Sequence, residues 1–215
     1  MRASVPQPLD LVLEQGLWDE GYQALAGLDE AGRGAWAGPV VAAAVVLPPR
    51  RPDLAVVLRG VHDSKRLTPE ERERLFPLIH AAALCVGMGL ATPTEVDQLN
   101  VLEATRLAMM RAIQELTHAP DCLLLDHLSL PRLSIAQKPI PHGDARVLSI
   151  AAASIVAKVS RDRLMVQLAQ EHPGYGLEHH KGYGTPRHRE ALARLGPTPI
   201  HRRTYRPVAH CGWEV

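Results

Sequence analysis

Aromatic residues are scarce in this 215-residue chain: they make up 4% of it, with one phenylalanine, Phe76. A core of this size must then be filled mainly by aliphatic and alanine side chains, since the large ring surfaces are in short supply. Long hydrophobic runs are missing too. The longest, Val40 to Leu47, has eight residues, well short of the roughly 20 that a membrane-crossing helix needs. Only Arg2 precedes an acidic, proline-containing start, so the N-terminus lacks the basic-then-apolar layout of a secretory signal. The three cysteines, Cys85, Cys122 and Cys211, are odd in number and form no Cys-x-x-Cys pair. They fit buried thiols in a reducing compartment better than a disulfide framework. No charge sign dominates either: 24 basic against 23 acidic residues leave a formal charge of +1, so any attraction to a polyanion must be local. These absences predict a cytoplasmic protein without membrane attachment. The length suffices for one substantial core with, at most, a small appendage.

What is present is concentrated in Leu28-Asp29-Glu30-Ala31-Gly32-Arg33-Gly34. Two adjacent carboxylates close an apolar run and open a Gly-Arg-Gly turn. Carboxylate oxygens suit hard cations such as Mg²⁺ or Mn²⁺, which usually bind through one or two carboxylates plus substrate phosphate. Gly32 and Gly34 let the backbone approach a ligand, and the Arg33 guanidinium is a phosphate partner.

The rest of the chain reads as alternating strands and helices. Residues 1–20 form either a loosely held lead-in or one short helix around Leu11 to Trp18. Apolar segments near 24–29 and 38–47, separated by the Gly-rich turn, predict an antiparallel strand pair, the second buried on both faces. Thr68-Pro69-Glu70-Glu71 carries a helix cap, a proline at the first helical position and a reciprocating glutamate. That helix should run to about Ala83, with a strand over Cys85 to Leu90. Thr92-Pro93-Thr94-Glu95 repeats the capping pattern, and Asn100 opens a longer helix with Leu102, Met109, Ile113 and Leu116 on one face. Asp121 to Asp126 reads as a short buried strand ending in a carboxylate, and a weaker strand lies around 133–140. A helix from Ala145 to about Gln170 carries small residues (Ala151, Ala152, Ala153, Ser154, Ala157) that allow close packing on a sheet. One more helix lies near Pro186 to Leu195. The expected organisation is a lead-in over 1–20 and a single α/β domain over 21–215, with a basic C-terminal lobe from about residue 172.

Three strand or loop ends therefore carry carboxylates: Asp29 with Glu30, Asp126, and Asp144. Ligands of open α/β sheets gather where strand ends and helix starts converge. Four carboxylates gathered there repel one another unless divalent cations relieve the repulsion, which points to a two-metal phosphoryl-transfer site. Spacing alone leaves other readings open: Asp126 as a turn residue and Asp144 as a simple helix cap.

The motif blocks, taken together, resemble bacterial ribonuclease HII, the type 2 ribonuclease H family. They run through Gly27–Gly34, Gly38–Ala43, Asp63-Ser64-Lys65-Arg66-Leu67, Leu124-Leu125-Asp126, Gly143-Asp144, Ala151–Val159, His180-Lys181-Gly182-Tyr183 and His201-Arg202-Arg203-Thr204-Tyr205. They occur in the family's order and cover roughly residues 24 to 208. The resemblance implies a ribonuclease H-like α/β fold: a mixed five-stranded sheet flanked by helices, with a helical C-terminal extension. It implies Mg²⁺- or Mn²⁺-dependent cleavage 5′ to ribonucleotides in RNA–DNA hybrids and at single ribonucleotides in duplex DNA, leaving 3′-hydroxyl and 5′-phosphate ends. Carried over by motif, Asp29, Glu30, Asp126 and Asp144 are the catalytic and metal-binding carboxylates. Two positions depart from the family pattern, His127 where glycine is usual and His142 where lysine is usual. Neither removes a metal ligand, and His127 adds a Cβ beside the site.

Recognising a ribonucleotide in DNA means finding one 2′-hydroxyl. The resemblance assigns that task to Gly32, Arg33, Gly34 and Tyr183; without it, Tyr183 reads as a half-buried aromatic in a Gly-rich loop. Lys65, Ser154, Lys158 and Lys181 are further candidate substrate contacts, with stabilisation of the acidic cluster the alternative for Lys158. Between Lys181 and Arg206 there are seven basic residues, Lys181, Arg187, Arg189, Arg194, Arg202, Arg203 and Arg206, against one acidic, Glu190. That local excess suits either a solvated face or a phosphate-tracking surface. His172, His179, His180 and Cys211 match no common zinc spacing.

Three rivals remain in view. The sister ribonuclease HIII typically carries an N-terminal substrate-binding domain, whereas only about twenty-three residues precede the first strand here. An inert nucleic-acid-binding module would not favour four acids facing phosphate. Another phosphotransferase on the same fold would not need the Gly-Arg-Gly turn and Tyr183 together. A monomer is expected, and contact with a replication clamp stays open.

Overall fold

The computed structural model describes residues 9–210; residues 1–8 of the expected lead-in and Cys211 lie outside them. A short helix α1 (Val12–Asp19) precedes strands β1 (Leu25–Ala31) and β2 (Val40–Val46) and the helical turn α2 (Leu54–Val57). Helix α3 (Pro69–Ala82), strand β3 (Cys85–Ala91), helices α4 (Pro93–Leu99) and α5 (Val101–Gln114) and strands β4 (Cys122–Asp126) and β5 (Ala136–Ile140) follow. The chain closes with α6 (Leu148–Glu171), α7 (Leu177–His180), α8 (Pro186–Leu195) and α9 (Arg206–Ala209).

The strands form one five-stranded sheet in the order β3-β2-β1-β4-β5. The β1–β2 and β2–β3 pairs are antiparallel, while β1–β4 and β4–β5 are parallel. The sheet is thus mixed, as expected. All seven residues of β2 are buried, and burying each valine contributes on the order of 1.5–3 kcal/mol. Strand alternation divides two cores between the sheet's faces. Leu25, Ala43, Val45, Cys122 and Leu124 point into the cluster shared with α1, α3 and α6. Ala26, Leu28, Ala42, Ala44, Leu123 and Leu125 point into the cluster shared with α4 and α5.

Helix α6 lies very close to β1: a Cβ added at Gly27 would sit 2.2 Å from the Ser149 carbonyl carbon. The small-residue face of α6 makes this approach possible. On the opposite face, the deepest contacts of α5 come from Ala104, Thr105, Ala108, Met109 and Ala112, with Leu102 and Ile113 half-buried at its flanks. The helix ends at Gln114, so Leu116 lies beyond it.

Both Thr-Pro starts form complete capping boxes, Thr68 with Glu71 and Thr92 with Glu95. Two boundaries differ from the sequence expectation. Strand β5 starts at Ala136 rather than near 133, because the Gln137 side chain bonds both backbone groups of Leu130 and folds the preceding residues into a turn. Helix α6 starts at Leu148 rather than 145, because Gly143–Ala145 winds into a tight 3₁₀ turn. Of the two readings of the N-terminal stretch, the short helix is observed. Leu17 and Trp18 of α1 are buried in the core, and Glu14 accepts hydrogen bonds from the Ser149 N–H and Oγ, both at 3.0 Å, at the start of α6. Burial holds the Glu14 carboxyl above its usual range.

Candidate active site

The parallel register pairs Leu28 with Leu125, and carrying it on by one residue sets Asp29 level with Asp126. Alternation puts Asp29 on the α6 face of the sheet with Leu25, and Asp126 on the same face with Leu124. Asp144 joins them from the 3₁₀ turn. It is buried, and its Oδ2 accepts a hydrogen bond at 3.0 Å from Lys65 Nζ. The helix-cap alternative for Asp144 is therefore not observed: α6 has no side-chain cap from its own N-cap residue, and Glu14 fills that role.

The carboxylates strain against one another. Asp29 is buried, its Oδ1 accepting the Glu30 N–H at 2.8 Å. Burial, followed by the adjacent Glu30 charge, pushes the Asp29 carboxyl well above the usual range, against an opposing pull from Ser154 and Lys65. Burial also raises Glu30, and the Asp126 charge adds to it, while Arg33, whose Nη1 lies 3.1 Å from Glu30 Oε1, works the other way. Lys65 feels the opposite balance. Burial disfavours its charge, but the hydrogen bond to Asp144 and the charges of Asp144, Asp29 and Asp63 outweigh that and hold it above its ordinary value.

Two buried oxygens of this carboxylate set, Asp29 Oδ2 and Glu30 Oε2, have no hydrogen-bond partner among the described residues. Orphaned buried carboxylate oxygens are costly unless something positive meets them. An all-oxygen donor set of this kind fits a hard divalent cation. With the side chains as they stand, no three His, Cys, Asp or Glu side chains among the described residues form a closed metal-holding group. Asp29 and Glu30 from β1, Asp126 from β4 and Asp144 from the 3₁₀ turn are the residues placed to supply one.

The loop after β1 is held from beneath by two arginines that the sequence reading did not single out for this. Arg161 of α6, fully buried, donates to the carbonyls of Pro39 (2.9 Å), Lys181 (2.9 Å) and Ala37 (3.1 Å). Burial lowers its pKa to about 10. Gly32 has φ +96°, and a Cβ there would lie 1.9 Å from Arg161 Nε, so glycine is required. Arg202 donates to the Gly38 carbonyl through Nε (3.1 Å) and Nη2 (2.9 Å), and to the Arg33 carbonyl through Nη1 (2.8 Å). The Tyr205 hydroxyl donates to the same Arg33 carbonyl at 2.6 Å. Arg202 is fully buried, which removes it from the phosphate-tracking surface expected of residues 181–206. The signal in the sequence was its place in the His201-Arg202-Arg203-Thr204-Tyr205 block, whose positive charge suggested an outward role.

The remaining candidates surround this loop. Ser154 is buried and shares a 2.7 Å hydrogen bond with Ser64, tying α6 to the Asp63–Arg66 turn that carries Lys65. Arg72 secures that turn from α3 by donating to the Ser64 and Leu67 carbonyls. Lys158 bonds Asp162 at 2.7 Å, one turn along its own helix, so the acid it pairs with lies outside the four-carboxylate set. Tyr183 is half-buried, with the Lys158 ammonium and the Arg161 guanidinium 5.5 and 5.3 Å from its ring centre. Its hydroxyl makes no hydrogen bond among the described residues. Lys181, with φ +52°, bonds the Glu178 carbonyl. His180 stacks on His188 at 4.5 Å, and His188 Nε2 lies 3.2 Å from His201 Nε2, so these histidines brace the C-terminal lobe.

A sequence model described as Ribonuclease HII matches residues 26–208. The chain belongs to the ribonuclease HII family. The ribonuclease HII of Chloroflexus aurantiacus is 54% identical over 202 residues, 93% of this chain and 94% of that one. That of Geobacter sulfurreducens is 51% identical over 203 residues, 94% and 91% of the two chains. Among solved structures, ribonuclease H2 from Pyrococcus horikoshii OT3 superposes with a TM-score of 0.71 at 31% identity, covering 86% of this chain and 95% of that one. Membership in the ribonuclease HII family makes the protein a type 2 ribonuclease H, a hydrolase acting on nucleic acid. No helix among the described residues is long and apolar enough to cross a membrane.

Proposed function

We propose that the chain is a divalent-metal-dependent endonuclease that cuts 5′ to a ribonucleotide, both in RNA–DNA hybrids and at single ribonucleotides in duplex DNA, leaving 3′-hydroxyl and 5′-phosphate ends. The observation that carries this reading is the pair of unpartnered buried oxygens, Asp29 Oδ2 and Glu30 Oε2, next to a Gly-Arg-Gly turn held rigid from below. Asp29, Glu30, Asp126 and Asp144 would hold Mg²⁺ or Mn²⁺. A divalent cation held by these four carboxylates would supply water activation and charge neutralisation at the phosphate.

The chain's own groups do the rest. Gly32 and Gly34 bring backbone amides and carbonyls to the ribose edge with no side chain in the way. The Tyr183 hydroxyl, without a hydrogen-bond partner among the described residues, is available to the 2′-hydroxyl while its ring packs on the sugar or base. Arg33 trades its Glu30 contact for phosphate. Lys65 and Lys181 meet phosphate oxygens from two sides; Lys158 contributes positive potential beneath the tyrosine, and Ser154 acts through the Ser64 turn. Because Arg202 fixes the Arg33 carbonyl within the Gly-Arg-Gly turn, and the two arginines fix the carbonyls of Ala37, Gly38 and Pro39 just after it, the ribose-reading backbone is organised before substrate arrives, which cuts the entropic cost of recognition.

Three matched labelled duplexes test the reading: one embedded ribonucleotide, an RNA–DNA hybrid and all-DNA, each with Mg²⁺, Mn²⁺ or chelator. A metal-dependent nick 5′ to the single ribonucleotide, with all-DNA intact, is the expected result. Cutting of the hybrid alone would overturn the Gly-Arg-Gly and Tyr183 assignment.

A further inference from the structure

His127 and His142 face each other across the gap between the end of β4 and the turn that carries Asp144. Both have left-handed backbone, with φ +59° and +55°, a conformation disfavoured for any residue with a Cβ. Such strain persists where the surroundings over-determine it, and it gathers at functional sites. The two rings meet edge to face, 5.1 Å apart and 85° inclined.

His127 Nδ1 lies 3.0 Å from Asp126 Oδ1, and the Gly143 N–H donates to that same oxygen at 2.9 Å. A carboxylate oxygen only accepts, so Nδ1 must carry the hydrogen. The His142 amide, 3.4 Å from the same Nδ1, is then a close neighbour rather than a second donor. One donor thus reaches Asp126 Oδ1 from each side of the gap, and Oδ2, which makes no hydrogen bond among the described residues, is the oxygen left for a cation.

We propose that His127 is a positioning residue that locks the Asp126 carboxylate so that Oδ2 faces the cation, and that His142 holds the His127 ring in place. The proposal rests on the four-carboxylate reading above and adds to it a pair outside that set. Hydrogen bonds to ligating carboxylates fix their orientation and tune affinity, and here that support comes from a side chain that the backbone conformation itself disfavours.

The test is Mn²⁺ binding by calorimetry and electron paramagnetic resonance, with a melting curve for every variant. His127→Gly should bind Mn²⁺ about tenfold more weakly while its Tm stays level or rises, since glycine relieves the positive φ. A role in folding alone would instead lower Tm and leave affinity unchanged. His127→Asn should restore binding to within about threefold, because asparagine tolerates left-handed backbone and its amide nitrogen can stand where Nδ1 stood. His142→Gly should weaken binding by about threefold and add nothing to His127→Gly in the double variant. Wild-type affinity in His127→Gly, no recovery in His127→Asn, or additive effects in the double variant would each overturn the proposal. Asp126→Asn separates the two levels: unchanged Mn²⁺ binding there overturns the carboxylate reading itself. Weakened binding there alongside wild-type binding in His127→Gly overturns only the positioning role.

Discussion

The two halves of the candidate site are supported in opposite ways. The β1 half, from Asp29 through Gly38, rests on buried cations: Arg161 and Arg202 bond five carbonyl groups beneath it, and Gly32 sits where no Cβ fits. The β4–β5 half, from Asp126 through Asp144, is held by partly exposed side chains that contact one another, with histidines at two left-handed positions where glycine would be unstrained. Support from the interior leaves little freedom, because every donor and acceptor there must be matched. Support at the surface can be exchanged residue by residue without unfolding the sheet. Under the proposed function, ribose reading falls to the first half and placement of the last two carboxylates to the second.

The largest effect expected is from the loss of one carboxylate of the proposed cation-holding set, which both halves share. Asp29→Asn removes a charge from the centre of the cluster, and single-turnover assays should show cleavage reduced on the order of a thousandfold. Equal loss on single-ribonucleotide and hybrid substrates is expected, since the proposed function gives Asp29 no contact with the ribose.

Arg202→Met probes the β1 half alone. It leaves the Gly38 and Arg33 carbonyls buried without these donors, costing about 3 kcal/mol, or roughly 6–12 °C in Tm for a chain of this length. Arg202→Lys should not recover it, because one ammonium cannot reproduce the guanidinium fork. If calorimetry shows a variant as stable as wild type, the buried-cation account of this half fails.

Acid should undo the lobe that braces the same half. Burial, with the charge of His188 next, lowers the His201 pKa to about 4. The neutral ring is favoured in the folded state, so its contribution is complete above the unfolded value near 6.5. It is lost progressively as pH falls from 6.5 through 4, up to about 3 kcal/mol. Melting curves between pH 7 and pH 4 should slope downward, and His201→Asn should flatten the slope.

The smallest effect sharpens the contrast most. Tyr183→Phe removes one hydroxyl, about 1 kcal/mol, so cleavage at a single ribonucleotide should fall roughly fivefold with Mn²⁺ affinity unchanged. His127→Gly should show the converse, weaker Mn²⁺ with the preference among substrates retained.

Much of this was legible in the sequence because the determinants are local. Capping boxes at Thr68 and Thr92 need four consecutive residues, and the unbroken apolar run of β2 reports burial on both faces without reference to any partner. The aliphatic core followed from the shortage of rings, and the order of the motif blocks pointed to the family. Pairing choices were not legible. Arg202 in a basic stretch looked outward, and only the packed structure shows its guanidinium turned toward the Gly38 and Arg33 carbonyls, some 165 residues away. Ser154 and Lys158 share one small-residue helix, yet one side chain is buried against Ser64 and the other is turned to Asp162. Glu14 gave no sign that it would cap α6 from 135 residues away.

Strands, helices and the aliphatic core could be read from the sequence, and motif order nominated the four carboxylates, since propensity, periodicity and motif order act over short stretches of chain. The tertiary structure alone decided which oxygens of those carboxylates are satisfied, which arginines lie inside, and that His127 and His142 meet across the gap beside Asp126. Those outcomes depend on distances between residues far apart in the chain, set when the parallel register of β1 and β4 and the close approach of α6 to Gly27 are fixed together.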